Sequence, residues 1–115
     1  MFISHIDKIE SKKIENEHIK GVTKQVLVSP AEGWKDYVMR RFVLDIGGYA
    51  PKHSHPWPHI AYVLEGEGVL FFEGREHSLT PGSVSYIPAG SLHQIRASAE
   101  SGLAFLCIVP PEGDV

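Results

Sequence analysis

The chain has 115 residues, which is enough for one domain with its own core and too few for two domains. Its 11 Lys and Arg residues against 14 Asp and Glu residues give a formal charge of -3, and charges of both signs are interspersed along the chain. This balance excludes the concentrated basic surface that binds nucleic acid or an acidic membrane, so we expect neither partner.

The N-terminal segment, the apolar runs and the cysteine count indicate where in the cell the protein is located. The N-terminus, MFISHIDK, has no basic run followed by an apolar core, so we expect no secretory signal. No apolar run approaches the roughly 20 residues that cross a bilayer. The single cysteine, Cys107, cannot form an intramolecular disulfide, which is typical of a reducing compartment. The sequence therefore predicts a cytoplasmic protein.

Residues 1–20 join a short apolar start to a charged stretch whose isoleucines are too sparse for a core-facing stripe. We predict that this segment is an N-terminal arm contributing to a barrel or a dimer, and that residues 21–115 form the domain itself. Apolar or alternating runs between Gly and Pro turns then predict short strands, at residues 22–29, 37–46, 60–64, 69–72, 77–79, 83–87, 91–97 and 103–109. A total of roughly eight to ten short strands without an amphipathic helix predicts an all-β antiparallel sandwich or barrel.

Arg40 interrupts the apolar pattern of the second predicted strand. Strand periodicity places it on the same face as Val38, Phe42 and Leu44. A buried arginine needs a partner, so Arg40 either pairs with a carboxylate or lines a pocket. The alternative is that its long side chain extends past the strand end into water. The sequence leaves these interpretations open.

Four histidines are candidate metal ligands. His53 and His55 lie two residues apart, which in an extended segment directs both side chains to one face. A stiff Pro-Trp-Pro segment then leads to His59 at the start of the next predicted strand. His93 lies in a second stretch that follows later in the chain. Neutral imidazole is the commonest protein ligand for first-row transition metals, so these four side chains predict a metal site.

The two histidine stretches have recognisable spacing. The first follows G-x5-H-x-H-x3-[E]-x6-G, with Gly47, His53, His55 and Gly66, and the second follows G-x5-P-x-G-x2-H, with Gly82, Pro88, Gly90 and His93. In this spacing the chain resembles the cupin superfamily, and in particular small single-domain proteins of the cupin 2 conserved barrel type. His59 stands where most cupins have a glutamate, and Ala97 stands where the second motif ends in asparagine. The resemblance implies a single-domain jelly-roll β-barrel of antiparallel strands.

The resemblance also implies a cofactor, one divalent transition metal per chain, bound by His53, His55, His59 and His93. Histidine at the glutamate position is itself a ligand type, so the metal role is expected to survive. A four-histidine site is similar to those of small manganese-binding bacterial and archaeal cupins, so manganese is expected, with iron, nickel, zinc and copper as alternatives. Six-coordinate geometry would leave two positions open for water, dioxygen or a bidentate oxygen donor.

The resemblance further implies a metal-dependent enzyme, a dioxygenase-like oxidoreductase or an isomerase, that acts on a small organic molecule. The alternative is a non-catalytic binding or sensor module for a small molecule or a metal. A barrel whose histidines merely satisfy the core is a third interpretation. No residue near the histidines is recognisable as a general base, so the catalytic residues stay unassigned.

Strand periodicity also predicts which residues line the pocket, namely Ala61, Val63, Ile95, Phe105 and Cys107. Because most of them are apolar, they favour a hydrophobic or aromatic ligand over a charged sugar phosphate. Cys107 either approaches the metal pocket or is a small buried hydrophobe. The opposite strand faces are also apolar, at Ile60, Tyr62, Leu64 and Phe72. This is more apolar surface than one barrel interior accommodates, so we expect a homodimer.

Overall fold

The computed structural model describes residues 1–115, and nearly all of its regular structure is β-strand. Three single-turn 3-10 helices lie at Ile6–Lys8, Pro30–Glu32 and Pro111–Gly113. None of the helices is long and apolar enough to cross a membrane. The strands are β1 (Lys12–Asn16), β2 (Ile19–Val28), β3 (Val38–Tyr49), β4 (His59–Gly66), β5 (Gly68–Phe72), β6 (Arg75–Leu79), β7 (Val84–Ile87), β8 (His93–Ala97) and β9 (Leu103–Val109).

The nine strands form one curled antiparallel sheet. Its strand order is β6-β5-β8-β3-β9-β4-β7, and β2 pairs with both β1 and β3 beside this path. Strands distant in sequence therefore become neighbours, as when β9 lies between β3 and β4. Such crossovers, with antiparallel pairing throughout, are those of a jelly roll. The predicted all-β antiparallel jelly-roll barrel and its strand count are confirmed.

The N-terminal segment adds a hairpin to the barrel. β1 pairs with the first half of β2, and Ile14 and Ile19 pack against the core from the two strands of this hairpin. The Gln25 side chain donates hydrogen bonds to the carbonyls of Ile6 and Ile9, at 2.8 and 2.9 Å. Isoleucines that are too sparse for a helical stripe reach the core here because alternate positions of a strand share one face.

The core lies inside the curled sheet and is built from alternate strand positions. Along β4, the buried Ala61 and Val63 alternate with the exposed Ile60 and Tyr62, as the period of two requires. Burial of each large aliphatic side chain contributes about 1.5–3 kcal/mol. The most completely buried side chains come from three strands, β3, β7 and β9, and are Leu44, Ile87, Leu103, Val38, Val109 and Cys107.

The turn from β4 to β5 requires glycine. Gly66 has φ +81°, and a Cβ on it would overlap the carbonyl oxygen of Gly102. A Cβ on Gly68 would likewise overlap the carbonyl oxygen of Arg96. Because these glycines have no side chain, the end of β4 can approach the backbone at Gly102, and the start of β5 can approach the backbone of β8 at Arg96.

We expect Gly66→Ala to destabilise the fold much more than Gly74→Ala. Gly74 has a similar φ, +84°, but has no atom within 4 Å of a Cβ built on it. The Gly74 variant therefore incurs only the backbone strain of about 1–2 kcal/mol. The Gly66 variant should lose at least about 2 kcal/mol more because the backbone must also shift. Urea unfolding of the two variants measures this difference, and equal losses would contradict the close contact at Gly66.

Candidate metal centre

Four imidazole rings from two distant stretches of chain meet at one place in the barrel. His53 and His55 lie between β3 and β4, His59 begins β4, and His93 begins β8. Five of the six ring pairs have centroids 4.9 to 5.1 Å apart. Ligand nitrogens of His53, His55 and His93 all lie within 4.8 Å of one another. The structure therefore brings the four sequence-predicted histidines into one cluster, with three of them in the tightest group.

Backbone hydrogen bonds hold the two stretches against each other. His53 and His93 each donate an N–H to the carbonyl of the other, both at 3.0 Å. The N–H of Gly90 donates to the carbonyl of His55 at 2.8 Å. The loop that carries the first two histidines is therefore tied to the segment that leads into β8, so the positions of the rings are determined by main-chain contacts.

Hydrogen bonds from the outer ring nitrogens determine which nitrogen faces the cluster. Nδ1 of His55 lies 2.7 Å from the carbonyl oxygen of Trp57, and Nδ1 of His93 lies 2.9 Å from that of Ser91. A carbonyl oxygen only accepts, so each Nδ1 bears the proton and each Nε2 keeps its lone pair. Metal-ligating histidines typically have this arrangement.

The Nε2 atoms of His59 and His93 are buried and have no hydrogen-bond partner. On the other side of the His59 ring, Nδ1 lies 3.2 Å from Sγ of Cys107. A buried polar atom without a partner costs about 1–3 kcal/mol, and such atoms in a folded protein commonly mark a bound ion or water. A metal ion would accept both lone pairs, so the residues present fit a divalent transition metal.

Desolvation lowers the pKa of three of the four imidazoles. Desolvation, followed by the nearby imidazoles of His93 and His55, lowers the pKa of His53 from 6.5 to about 4 and that of His59 to about 3. Desolvation also lowers the pKa of His93, although its hydrogen bond to Ser91 acts in the opposite direction. Neutral imidazoles keep the lone pairs that a metal needs at neutral pH.

A cavity of about 290 Å³ adjoins the cluster, and all four histidines line it. Most of its other lining residues are apolar, and three of them were predicted from strand periodicity: Ile95, Phe105 and Cys107. Ala61 and Val63, also predicted to line the pocket, are 4% and 2% exposed, pack within the hydrophobic core and are not among the residues that line this cavity. Periodicity identifies the inward face of a strand but not how far along that face a cavity extends.

Three features of the cavity have no counterpart in the sequence-based prediction. The indole of Trp57 stacks on the ring of His55, with centroids 4.8 Å apart and an interplanar angle of 8°. Lys24 from β2 lines the cavity, as do Gly113 and Val115 from the C-terminal segment. Lys24, Gly113 and Val115 approach the histidines only through tertiary contacts, so no local pattern indicated them, whereas Trp57 lies between His55 and His59 in the sequence.

Arg40 is 8% exposed and lines the same cavity. Its Nη2 donates to Sγ of Cys107 at 3.2 Å, and its Nη1 lies 3.7 Å from Oδ1 of Asp114. The interpretations that it lines a pocket and pairs with a carboxylate are therefore both correct, and extension into water is wrong. Its position on the apolar face of β3 was the available sequence signal.

The lowered pKa values predict that acid destabilises the metal-free protein. In the unfolded chain these imidazoles bind protons near pH 6.5, whereas His53 and His59 of the folded protein do so only near pH 4 and 3. The unfolded state therefore binds more protons between these values, and stability is lost as the pH falls from 6.5 towards 4. We expect the free energy of unfolding of chelator-treated protein to be lower at pH 5 than at pH 7.5 by on the order of 1 kcal/mol.

Urea unfolding at the two pH values measures this loss. The double substitution His53→Gln/His59→Gln should reduce the difference because the two imidazoles with the lowered pKa values are gone. His18→Gln is the matched control, since the His18 side chain is 75% exposed. A pH dependence that the double substitution leaves unchanged would contradict the assignment of the effect to these rings.

Comparisons with known proteins agree with this architecture. Residues 40–109 match the family model described as the cupin domain. The chain is 31% identical over 109 residues to the 1-methylthio-D-xylulose 5-phosphate methylsulfurylase of Rhodospirillum rubrum, a match that covers 95% of this chain and 69% of that protein.

Solved structures show the same similarity in three dimensions. The polyketide cyclase RemF from Streptomyces resistomycificus superposes with a TM-score of 0.89 at 28% identity, over 96% of this chain and 79% of that one. A predicted oxalate decarboxylase from Thermotoga maritima superposes with a TM-score of 0.85 at 27% identity, over 95% and 98% of the two chains. Together with the barrel and the two histidine stretches, these matches show that the chain belongs to the cupin family.

Proposed function

We propose that the protein binds one divalent transition metal and uses it as an enzyme that acts on a small organic molecule in the adjoining cavity. The observation that supports this most directly is the convergence of four imidazoles beside a cavity, with the Nε2 atoms of His59 and His93 buried and without a partner. A site that only binds metal for stability has no need of such a cavity at its edge.

The proposed ligands are His53, His55 and His93, with His59 as the fourth. The first three offer ligand nitrogens within one small group. The assignment of His59 is supported by its unpartnered Nε2 and by ring contacts of 5.1 and 4.9 Å with His55 and His93. Manganese is the metal we propose, by similarity to small cupins, and iron, nickel, zinc and copper remain alternatives that neutral imidazoles also suit.

When bound, such a metal supplies a Lewis acid and open positions for an oxygen donor or dioxygen. The chain itself supplies the rest of the site. The carbonyls of Trp57 and Ser91 orient two of the rings, and the Trp57 indole covers one face of His55. The apolar walls exclude water, and Phe105 lies within them. This combination fits a metal-dependent oxygenase or an isomerase.

The relatives support a small organic substrate but differ in reaction. Their names describe a polyketide cyclase, a predicted oxalate decarboxylase and a methylsulfurylase of a sugar phosphate. The family therefore places different reactions on one barrel, and the proposal for this chain rests on its own site. The cytoplasmic location stays a prediction.

We expect single changes to alanine at His53, His55 or His93 to lower the metal content sharply, because each removes a direct bond to the metal. Elemental analysis of protein purified from its own host measures the content. His59→Ala should lower it as well if His59 is the fourth ligand. His77→Ala is the matched control, since His77 is exposed on β6 and lies outside the cluster. Full metal content after the double change His53→Ala/His55→Ala would contradict the site.

Turnover separates an enzyme from the alternative, a binding or sensor module. The metal-loaded protein is incubated with a panel of small organic molecules under air, and product and oxygen uptake are measured per mole of protein. An enzyme converts many equivalents, and the histidine variants lose this conversion together with the metal. Binding of a compound without conversion, for every compound that binds, would favour the sensor module.

We also propose that the protein is a homodimer that pairs through the outer face of β4 and β7. This face exposes one contiguous apolar patch, made up of Ile60, Tyr62, Leu64, Val84 and Tyr86. β7 is an edge strand, so its outer backbone groups are open to pair with a second copy. Phe72, which was expected in the outward set, is instead partly buried against the core.

We expect Val84→Lys to shift this dimer to monomer at micromolar concentration, because a lysine in the middle of the apolar patch would have to be desolvated. His77→Lys introduces the same side chain on the opposite edge strand, β6, and should leave the dimer intact. Analytical ultracentrifugation measures both. A monomeric parent protein would contradict the proposal.

A further inference from the structure

Two cationic side chains line the cavity beside the histidines and take no part in the proposed metal site. Arg40 from β3 and Lys24 from β2 both lie in its wall. Their side chains are 10% and 15% exposed. The carboxylate that reaches them is Asp114, whose Oδ1 lies 2.6 Å from Nζ of Lys24 and 3.7 Å from Nη1 of Arg40. Two positive charges, one buried on Arg40 and one largely shielded on Lys24, thus share one negative charge.

The hydrogen bonds of Arg40 are poorly satisfied. Of the five N–H donors of a guanidinium, one from Nη2 meets the weak acceptor Sγ of Cys107, and one from Nη1 reaches the carbonyl of Gly113 at 3.4 Å. Its Nε is buried and has no partner. Buried charged donors without partners are costly. The protein itself therefore supplies too few acceptors for this side chain.

Asp114 is also an incomplete partner. Its Oδ1 is buried, and although it lies close to Lys24, it takes part in no hydrogen bond of acceptable geometry. Lys24 and Asp114 are therefore paired by charge, but the geometry of their contact is not that of a hydrogen bond. A ligand that offers several acceptor oxygens would satisfy the same cations better than this carboxylate does.

We propose that Lys24 and Arg40 form an anion subsite for a carboxylate or phosphate group of the substrate, and that Asp114 occupies this subsite as an internal competitor. Both oxyanions present paired oxygens that match the planar fork of a guanidinium. The subsite adds a charged anchor to a cavity that the sequence had suggested would favour an apolar or aromatic ligand.

The subsite lies close enough to the histidines for one small molecule to reach both. Sγ of Cys107 lies 3.2 Å from Nη2 of Arg40 and 3.2 Å from Nδ1 of His59. One thiol therefore separates the guanidinium from a proposed metal ligand. A ligand with a chain of a few atoms places its anionic end on Arg40 and its other end at the metal. This orienting role rests on the proposed function, whereas anion binding itself needs only Lys24 and Arg40.

The segment that carries Asp114 is packed against a natural reporter. A Cβ on Gly113 would lie 2.7 Å from Nε1 of Trp57, so this backbone rests directly on the indole. Trp57 in turn stacks on His55. An anion that displaces Asp114 alters the contact between this segment and Trp57. Fluorescence of Trp57 therefore reports occupation of the subsite, after Trp34, the other tryptophan, is replaced by phenylalanine.

The test uses chelator-treated protein with Trp34→Phe, titrated with inorganic phosphate or malonate at constant ionic strength. We expect a saturable change in Trp57 fluorescence. Asp114→Asn should lower the apparent Kd on the order of tenfold, because it removes the competing charge. Glu112→Gln makes the same charge change two residues away at an exposed position and should leave the Kd unchanged. Lys24→Met and Arg40→Met should each raise the Kd at least tenfold, and circular dichroism checks that these two variants fold.

An unchanged or higher Kd for Asp114→Asn would overturn the proposal, because Asp114 would then be a structural partner only. So would parental affinity in a folded Lys24→Met variant, or binding of neither probe. Binding of phosphate alone assigns a phosphate ligand, and binding of malonate alone assigns a carboxylate. Metal analysis of untreated samples tests the proposed function separately. Protein that binds phosphate but never holds metal would support the anion subsite and contradict the metal site. Protein that holds metal but binds neither phosphate nor malonate would contradict the anion subsite alone.

Discussion

The site depends on the convergence of four imidazole rings at one point, where the rings of His59 and His93 are buried. Imidazoles exposed to water protonate near neutral pH, and four positive charges at centroid spacings near 5 Å would repel one another strongly. Desolvation, together with the neighbouring imidazoles, counters this by lowering the pKa of His53 to about 4 and that of His59 to about 3. The cost is that inward nitrogens are left without hydrogen-bond partners. Such a cluster is therefore a poor way to fill a core and a suitable way to hold a cation.

The barrel meets this constraint by attaching the rings to main chain on both sides. β3, β9 and β4 are paired neighbours within the sheet, and His59 is the first residue of β4. His53 is less sheltered, but its backbone is bonded in both directions to that of His93. Carbonyl oxygens of Trp57 and Ser91 then orient the outer nitrogens. The rings are thus held by contacts that do not themselves require a metal.

The sequence predicted those parts of the structure that arise from local patterns. The strands follow from alternation and from Gly and Pro turns, and the spacing of His53, His55, His59 and His93 was sufficient to group the four rings. What it did not predict depends on distance in space. Ala61 has the same periodicity as His59 but lies in the core, because the cavity ends before it. Asp114 reaches Lys24 only because the segment after β9 folds back across the cavity, and no pattern near either residue indicates that contact.

Charge links the histidine cluster to the cationic pair. A divalent ion held by neutral imidazoles keeps its full charge, unlike one held by three histidines and a glutamate. Arg40 and Lys24 add positive charge to the same cavity, and Arg40 contributes to the lowered pKa of His59. In a cavity with mostly apolar walls these charges are poorly screened, so they favour a ligand that brings negative charge with it. Asp114 compensates part of this charge from within the chain. With His59 in place of the usual cupin glutamate, the proposed metal would have no carboxylate ligand to offset its charge, which is consistent with the proposed anion subsite.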